Sequence, residues 1–412
     1  MAEADERSIT AERIKALIQA CHMDTVAVRR HLHAHPELSF QEHATGAYIA
    51  ERLEALGIEV RKGIAGTGVI GVVKGAGPGK VICLRADIDA LPIQETGEVP
   101  YRSQNPGVMH ACGHDAHTAM VLAAGGILHE LRAEWNGTVL LLFQPGEEKI
   151  PGGASLVLKE GALKDPVPSS ILGQHVTPEL EVGKVGFHAG PFMASSDELY
   201  VTVKGKGGHA AMPEKLIDPI MIAARLLIAL KEEFERYRKD RPLVLAFGRV
   251  IAEGATNVVP DEVRISGTLR TFDENLRAEL HEWLPRWSND FCATHGGTCD
   301  FEVRRGYPVV VNDKALTARM RKAAEEFLGA EHVVDMPRRM GSEDFAFYTQ
   351  VMPGSFHRLG TGNPKTGPAK GLHTPDFNIA EEAMAIGVGV MVFGALGELS
   401  PHPPAPSPGE KG

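Results

Sequence analysis

The sequence predicts an α/β protein, a mixed and mostly parallel sheet flanked by helices, with a smaller α+β domain inserted in the chain. Three observations predict it. Short apolar runs alternate with stretches of helical periodicity over the first half. Near Ser195 the pattern changes to alternating strands with helices set between them. And 412 residues exceed the size at which a single hydrophobic core usually stops growing, so two domains are expected.

From Ala11 to His33 the apolar positions Ile14, Leu17, Ile18, Cys21 and Val28 recur at helical spacing, entered through Thr10 with Glu12 and Arg13 close by; an opening helix follows. Apolar runs at Gly68 to Val73, Val81 to Ala86, Thr138 to Phe143 and Ser170 to Val176 read as strands, with a helix over His117 to Leu131. Past Ser195, Glu198 to Val203 alternates like a half-exposed strand and Leu216 to Tyr237 is a long amphipathic helix. Strands over Leu243 to Ile251 and Val263 to Thr271 come next, then a helix over Glu274 to Cys292. Helical patterns resume over Asp313 to Leu328 and Glu381 to Leu396. The expected organisation is a catalytic domain over residues 1–194 and 306–399, an inserted domain over 195–305, and a disordered tail over 400–412. That tail, SPHPPAPSPGEKG, has five prolines in 13 residues and cannot form a regular element.

Composition excludes several function classes. With 43% hydrophobic, 23% charged and 6% aromatic residues the chain has an ordinary globular composition. The longest apolar stretch, Ala383 to Leu396, is 14 residues with three glycines, short of the roughly 18 that suggest a bilayer crossing. A buried helix is the expected outcome, with no membrane partner. The formal charge of −10 comes from scattered acids, and no Lys/Arg run is dense enough to track a phosphate backbone, which argues against nucleic acid. The first residues, MAEADERSITAERIKALIQA, lack the basic start and apolar core of a secretory signal, and five cysteines (Cys21, Cys83, Cys112, Cys292, Cys299) form no disulfide framework. Both features point to the cytoplasm.

Two glycine-rich stretches do not bind nucleotides on this reading. Gly66 to Gly71 matches G-x-G-x-x-G, but Val69 to Val73 reads as a strand where that fingerprint needs a helix. Gly75 to Lys80 lacks the Ser/Thr of a phosphate loop and lies between two strands, where a hairpin turn explains it.

The chemistry concentrates in Met109-His-Ala-Cys-Gly-His-Asp-Ala-His117, directly before an apolar helix. Thiolate and imidazole are preferred ligands of borderline divalent metals, and Cys112 and His114, one glycine apart, can turn toward one centre. The strand Thr138 to Phe143 ends in Gln144-Pro-Gly-Glu-Glu148, which puts two carboxylates beyond a strand's carboxyl end, where open α/β sheets form their crevices. One can hold a metal while the other takes a proton from water. His175 follows a strand, and His373 lies in a loop before the last helix. Together these residues supply five ligands, too many for one catalytic zinc with its open position and suited to two metals sharing a bridge.

At this point the chain resembles the M20 metallopeptidases, within them the branch of N-acyl-amino-acid amidohydrolases, hippurate hydrolases and auxin-conjugate hydrolases. The resemblance runs from RRHLHAHPELSFQEHAT through LRADIDALPI, MHACGHDAHTA, QPGEE, LGQHV and GKGGHAAMP to GSEDFAFY and GLHTPDF. It implies a di-metal catalytic domain split by a lid domain, and hydrolysis of the amide bond of an N-acyl amino acid to a carboxylic acid and a free amino acid. Position by position it implies Cys112, His114, Glu148, His175 and His373 as metal ligands, Glu147 as general base, and Asp89 as a carboxylate that orients the site from behind the ligands. Asp87 is left open. In the lid, His209 is implied to reach the substrate carbonyl, and Asn257 and Arg270 to meet its free carboxylate. Two divalent ions are implied, Mn²⁺ or Zn²⁺ first and Co²⁺ or Ni²⁺ as alternatives, with a small N-acyl amino acid as partner and a homodimer or higher homo-oligomer built through the lid.

Two positions depart from the family pattern: Ser39 stands where many relatives have Gly, and Glu214 follows Met-Pro where His is common. Neither is expected to touch a ligand. The rival readings are a dipeptidase or carboxypeptidase of the same fold, an amidase with Cys112 as a thiol nucleophile, and a binding protein without chemistry.

Overall fold

The computed structural model describes residues 9–238, 241–363 and 370–400, and residues 401–412 of the proline-rich tail lie outside them. The apolar runs form a sheet because each is buried along nearly its whole length, as strands covered on both faces must be. Gly68–Lys74, Val81–Asp87, Thr138–Gln144 and the first nine residues of Ser170–Glu181 are all of this kind. In spatial order the eight-stranded sheet runs Glu59–Ile64, Gly68–Lys74, Thr138–Gln144, Val81–Asp87, Ser170–Glu181, Gly354–Gly362, Val185–Phe187, Val333–Asp335. Its central pairings, from Thr138–Gln144 across to Gly354–Gly362, are parallel. The strand Gly68–Lys74 occupies the place where a dinucleotide fingerprint needs a helix.

The described chain falls into two units. The first lies within Met1–Gly190, Val311–Pro337 and Phe347–Gly412, the second within Pro191–Val310 and Arg338–Ala346. In the first, the helices Ala11–Ala34, His114–Glu130, Lys314–Leu328 and Ala383–Leu399 bury their apolar residues in one core with the sheet. Thr10 caps the opening helix by accepting the Arg13 N–H at 3.2 Å. The apolar stretch before Leu396 is the buried helix the sequence predicts, and no described helix is long and apolar enough to cross a membrane.

In the second unit a four-stranded antiparallel sheet, ordered Leu243–Ile251, Glu262–Thr271, Asp197–Lys204, Thr298–Arg305, shares a core with the helices Pro219–Arg238 and Glu274–Thr294. The first of these helices starts three residues later than the periodicity suggests. Pro219 opens it, Asp218 Oδ1 accepts the Ile220 N–H at 2.9 Å, and a residue before proline is pushed out of helical conformation.

Candidate metal centre

Four elements deliver side chains to one end of the first unit's sheet. Asp87 closes the strand Val81–Asp87, Glu147 and Glu148 follow Thr138–Gln144, His175 lies within Ser170–Glu181, and His373 sits in a loop beyond Gly354–Gly362. All four strands belong to the parallel centre, so these residues gather at the carboxyl ends, where such sheets form their ligand crevice. Cys112 and His114 come from the turn into His114–Glu130. That turn needs Gly113: its φ is 84°, and a Cβ there would lie 2.4 Å from Val176 Cγ2. The helix thus begins at His114, one turn earlier than the apolar periodicity shows.

The structure brings the five sequence-predicted ligands together. Cys112 Sγ lies 3.4 Å from His175 Nε2 and 3.3 Å from His373 Nε2. Glu148 Oε1 is 3.3 Å from His373 Nε2 and 3.9 Å from His114 Nε2. Glu147, buried, places a carboxylate oxygen within 4.8 Å of ligand atoms of His114 and Glu148. The loop conformation at His373 is unusual for a side-chain-bearing residue, with φ at 63°, and its N–H is held by the Ala111 carbonyl at 2.8 Å.

The rings are aimed from behind. His175 Nδ1 donates to the Val176 carbonyl at 2.7 Å, which leaves the Nε2 lone pair toward Cys112. His114 Nδ1 faces two acceptors, the Asp89 carbonyl at 2.9 Å and Asp89 Oδ1 at 3.2 Å, so it donates there and turns Nε2 toward the pocket. Burial opposes the ring's charge, yet Asp87, Cys112 and Asp89 raise the His114 pKa well above its ordinary value. His114 Nε2 is buried and has no hydrogen-bond partner among the described residues, and the buried Glu148 Oε1 faces only His373 Nε2, at 3.3 Å, and His114 Nε2, at 3.9 Å, among the ion pairs there. Sulfur, imidazole nitrogen and carboxylate oxygen converging on one pocket fit a divalent cation, which would take the place of the protons that His114 and His373 hold there, and this donor set suits Zn²⁺ or Mn²⁺. The pKa directions agree: hydrogen bonds to Cys112 and Glu148 push His373 up to about 10, so the pocket draws positive charge. Burial, with the Glu148 charge, raises the Cys112 thiol, which is the opposite of what a thiol nucleophile needs.

Asp87, left open by the sequence, is the hub behind the ligands. It binds His117 Nδ1 at 2.7 Å and Arg85 Nη1 at 2.7 Å, and lies 3.7 Å from His114 Nε2. Burial opposes its charge, yet His114, Arg85 and His117 hold its carboxyl well below the usual range. His117 Nε2 accepts the Val176 N–H at 3.0 Å, so both its nitrogens are engaged in fixing the fold. Behind the helix, Asp115 is bound by Arg29 Nε at 2.7 Å and His33 Nδ1 at 2.8 Å, a buried network that the sequence alone does not assign. Arg29 and His33 lie in the RRHLHAHPELSF segment, which shows helical spacing and a family resemblance but nothing that pairs these two residues with Asp115.

The three residues expected in the lid belong to the second unit. His209, exposed, pairs with Val258 in a short ladder and its Nδ1 accepts the Ala211 N–H at 3.1 Å. The Asn257 carbonyl accepts the Ala210 N–H at 3.0 Å, with the residue exposed. Arg270 is half-buried in Glu262–Thr271; Nη1 donates to the Met340 carbonyl at 2.8 Å and has no carboxylate partner among the described residues.

A family model for peptidase family M20/M25/M40 matches residues 83–393, and the chain belongs to that family. It is 43% identical over 305 residues to an N-acyl-L-amino acid amidohydrolase of Geobacillus stearothermophilus, covering 74% of this chain and 82% of the relative. To an N-acetylcysteine deacetylase of Bacillus subtilis it is 40% identical over 375 residues, 89% of this chain and 95% of the relative. Among solved structures, a dinuclear metal-binding peptidase of the M20 family from Bacillus subtilis, YXEP, superposes with a TM-score of 0.80 at 37% identity, covering 92% of this chain and 99% of that one.

Proposed function

We propose that this M20 enzyme hydrolyses the amide bond of N-acyl amino acids, releasing a carboxylic acid and a free amino acid. The observation that carries the reading is the convergence of ligand atoms of Cys112, His114, Glu148, His175 and His373 on one pocket, within 4.8 Å of one another in each cluster, with the Glu147 carboxylate beside them. These five side chains would hold two divalent ions, Mn²⁺ or Zn²⁺ by the chemistry of the set, with Co²⁺ or Ni²⁺ as substitutes. When bound, such ions supply Lewis acidity and make water at the site more acidic.

The protein's own groups do the rest. Glu147 accepts a proton from the attacking water and returns it to the leaving amine, a role typically contributing ~10²- to 10⁴-fold. Asp89 and Asp87 fix the imidazoles. In the second unit His209 meets the substrate carbonyl, while Asn257 and Arg270 receive the free carboxylate; the guanidinium's lack of an acidic partner among the described residues supports that assignment. The same proposal includes a homo-oligomer built through the second unit, whose strand Leu243–Ile251 lies at a sheet edge, and a reducing, cytoplasmic setting in which the described cysteines stay free.

Assaying N-acetyl-, N-benzoyl- and indoleacetyl-amino acids beside dipeptides, with metal analysis of the same sample, tests this. Turnover confined to N-acyl amino acids is expected; turnover confined to dipeptides overturns the substrate class.

A further inference from the structure

Asp89 is more than a support for one imidazole. Its carboxylate is buried, and its two oxygens serve different partners. Oδ1 receives His114 Nδ1 at 3.2 Å, and Oδ2 receives the backbone N–H of Glu148 at 3.0 Å. This side chain therefore shares with its own backbone carbonyl, at 2.9 Å, the hold on one proposed ligand's ring, and among the described residues it alone holds the peptide of another. Only one further hydrogen bond reaches Oδ2 among the described residues: the hydroxyl of Ser39 donates to it at 2.6 Å, from a side chain that is itself buried. Burial alone raises a carboxyl pKa; His114, Ser39 and the Glu148 N–H together keep Asp89 below its ordinary value.

The neighbours of Ser39 act on the same loop. Glu42 Oε1 accepts the Gly146 N–H at 2.8 Å, and Glu42 Oε2 is fixed in turn by Thr67 at 2.7 Å. Gly146 has φ at 62°, and a Cβ there would lie 2.3 Å from the Phe40 ring, so the loop is seated directly on this segment. Glu147 thus sits between two held residues. The Gly146 N–H before it is anchored by Glu42, the Glu148 N–H after it by Asp89 with Ser39 behind.

We propose that Ser39 is a positioning residue of the hydrolytic site: its hydroxyl fixes the rotamer of Asp89 and, through it, the approach of His114 and Glu148 to the pocket. A residue without a hydroxyl leaves Oδ2 with the Glu148 N–H alone, and the carboxylate is then free to rotate away from His114. The inference rests on the reading of the pocket as a metal centre with Glu147 as base.

The test compares wild type, Ser39→Ala, Ser39→Gly and Glu147→Gln as full chains, stripped of metal and titrated with Mn²⁺ by calorimetry. Steady-state kinetics on an N-acetyl amino acid and thermal unfolding of the metal-free proteins complete it. Both Ser39 variants are expected to bind Mn²⁺ about 10-fold more weakly and to lose about 10-fold in kcat at saturating metal, with KM and thermal midpoint close to wild type. Wild-type Mn²⁺ affinity and kcat in Ser39→Ala overturn the proposal. So does a lowered thermal midpoint with unchanged affinity, which marks a packing role. Glu147→Gln separates the two claims: inactive with normal Mn²⁺ binding, it leaves the reading of the base in place; active, it removes that reading and the proposal with it.

Discussion

Each unit buries a cluster of charged side chains, and the two clusters are built on opposite plans. In the second unit Asp197 accepts Arg277 Nη2 at 2.6 Å and Nε at 2.9 Å, His281 Nε2 at 2.7 Å and the Gly306 N–H at 3.1 Å. Arg277 spends its remaining donors on the Gly306 carbonyl and Glu274. The carboxylate is fully matched within the protein. In the first unit the rings and carboxylates around Cys112 are held just as firmly from behind, yet their inward atoms face one another across a pocket: His114 Nε2 has no hydrogen-bond partner among the described residues, and Glu148 Oε1 and Cys112 Sγ share His373 Nε2. Single buried polar atoms without a partner occur elsewhere in the molecule, as at His357 and Ser288, but several ligand-type groups of opposite charge converging on one pocket are what a bound cation completes. Closed clusters build the fold; the open one is where chemistry is expected.

Substitutions can break this contrast. The largest effect is expected at Glu147: Glu147→Gln should lower kcat by ~10²- to 10⁴-fold while metal content, measured on the same sample, stays at the wild-type level. Arg277→Ala should do the reverse, costing about 3–5 kcal/mol in denaturant unfolding by stranding a buried carboxylate while leaving metal content per folded molecule unchanged. Asp89→Asn should weaken divalent-metal binding about 10- to 100-fold, because the amide cannot both receive His114 Nδ1 and accept the Glu148 N–H as the carboxylate does. Arg270→Lys should raise KM for an N-acyl amino acid about 10-fold with little change in kcat, since a point charge replaces a fork.

The smallest effect concerns pH. Its partners His281 and Arg277, working against burial, hold Asp197 at about 2 in the folded protein, below the roughly 3.9 of an unfolded chain. A depressed carboxyl contributes stability that is full above the unfolded value and is lost as pH falls through the folded one. Acid unfolding should therefore steepen between pH ~4 and ~2, and Asp197→Asn should flatten that region of the stability profile.

What the sequence revealed follows the same division. The ligands were legible because cysteine, histidine and carboxylate crowd into short motifs at the ends of apolar runs, and apolar runs are what a doubly covered sheet requires. The strand Gly354–Gly362 was not legible. It lies at the centre of the sheet, but GSFHRLGTG carries three glycines, a histidine and an arginine, so its buried character comes from its neighbours and not from its composition. The helix His43–Ala55 has no side-chain cap to announce it, and Thr298–Arg305 alternates charges on an exposed face. The supports behind the ligands escaped for a different reason. Ser39 meets Asp89 across 50 positions and Glu42 meets Gly146 across 104, and no local pattern encodes a hydrogen bond of that span.

The central claim is that the open cluster holds metal and that hydrolysis depends on it. Stepwise chelation of the purified enzyme, with metal content and N-acyl amino acid hydrolysis followed on the same aliquots, tests it most directly. Activity should fall in parallel with bound metal from about two ions per chain and return on adding Mn²⁺ or Zn²⁺. Full activity in protein stripped of metal contradicts the account.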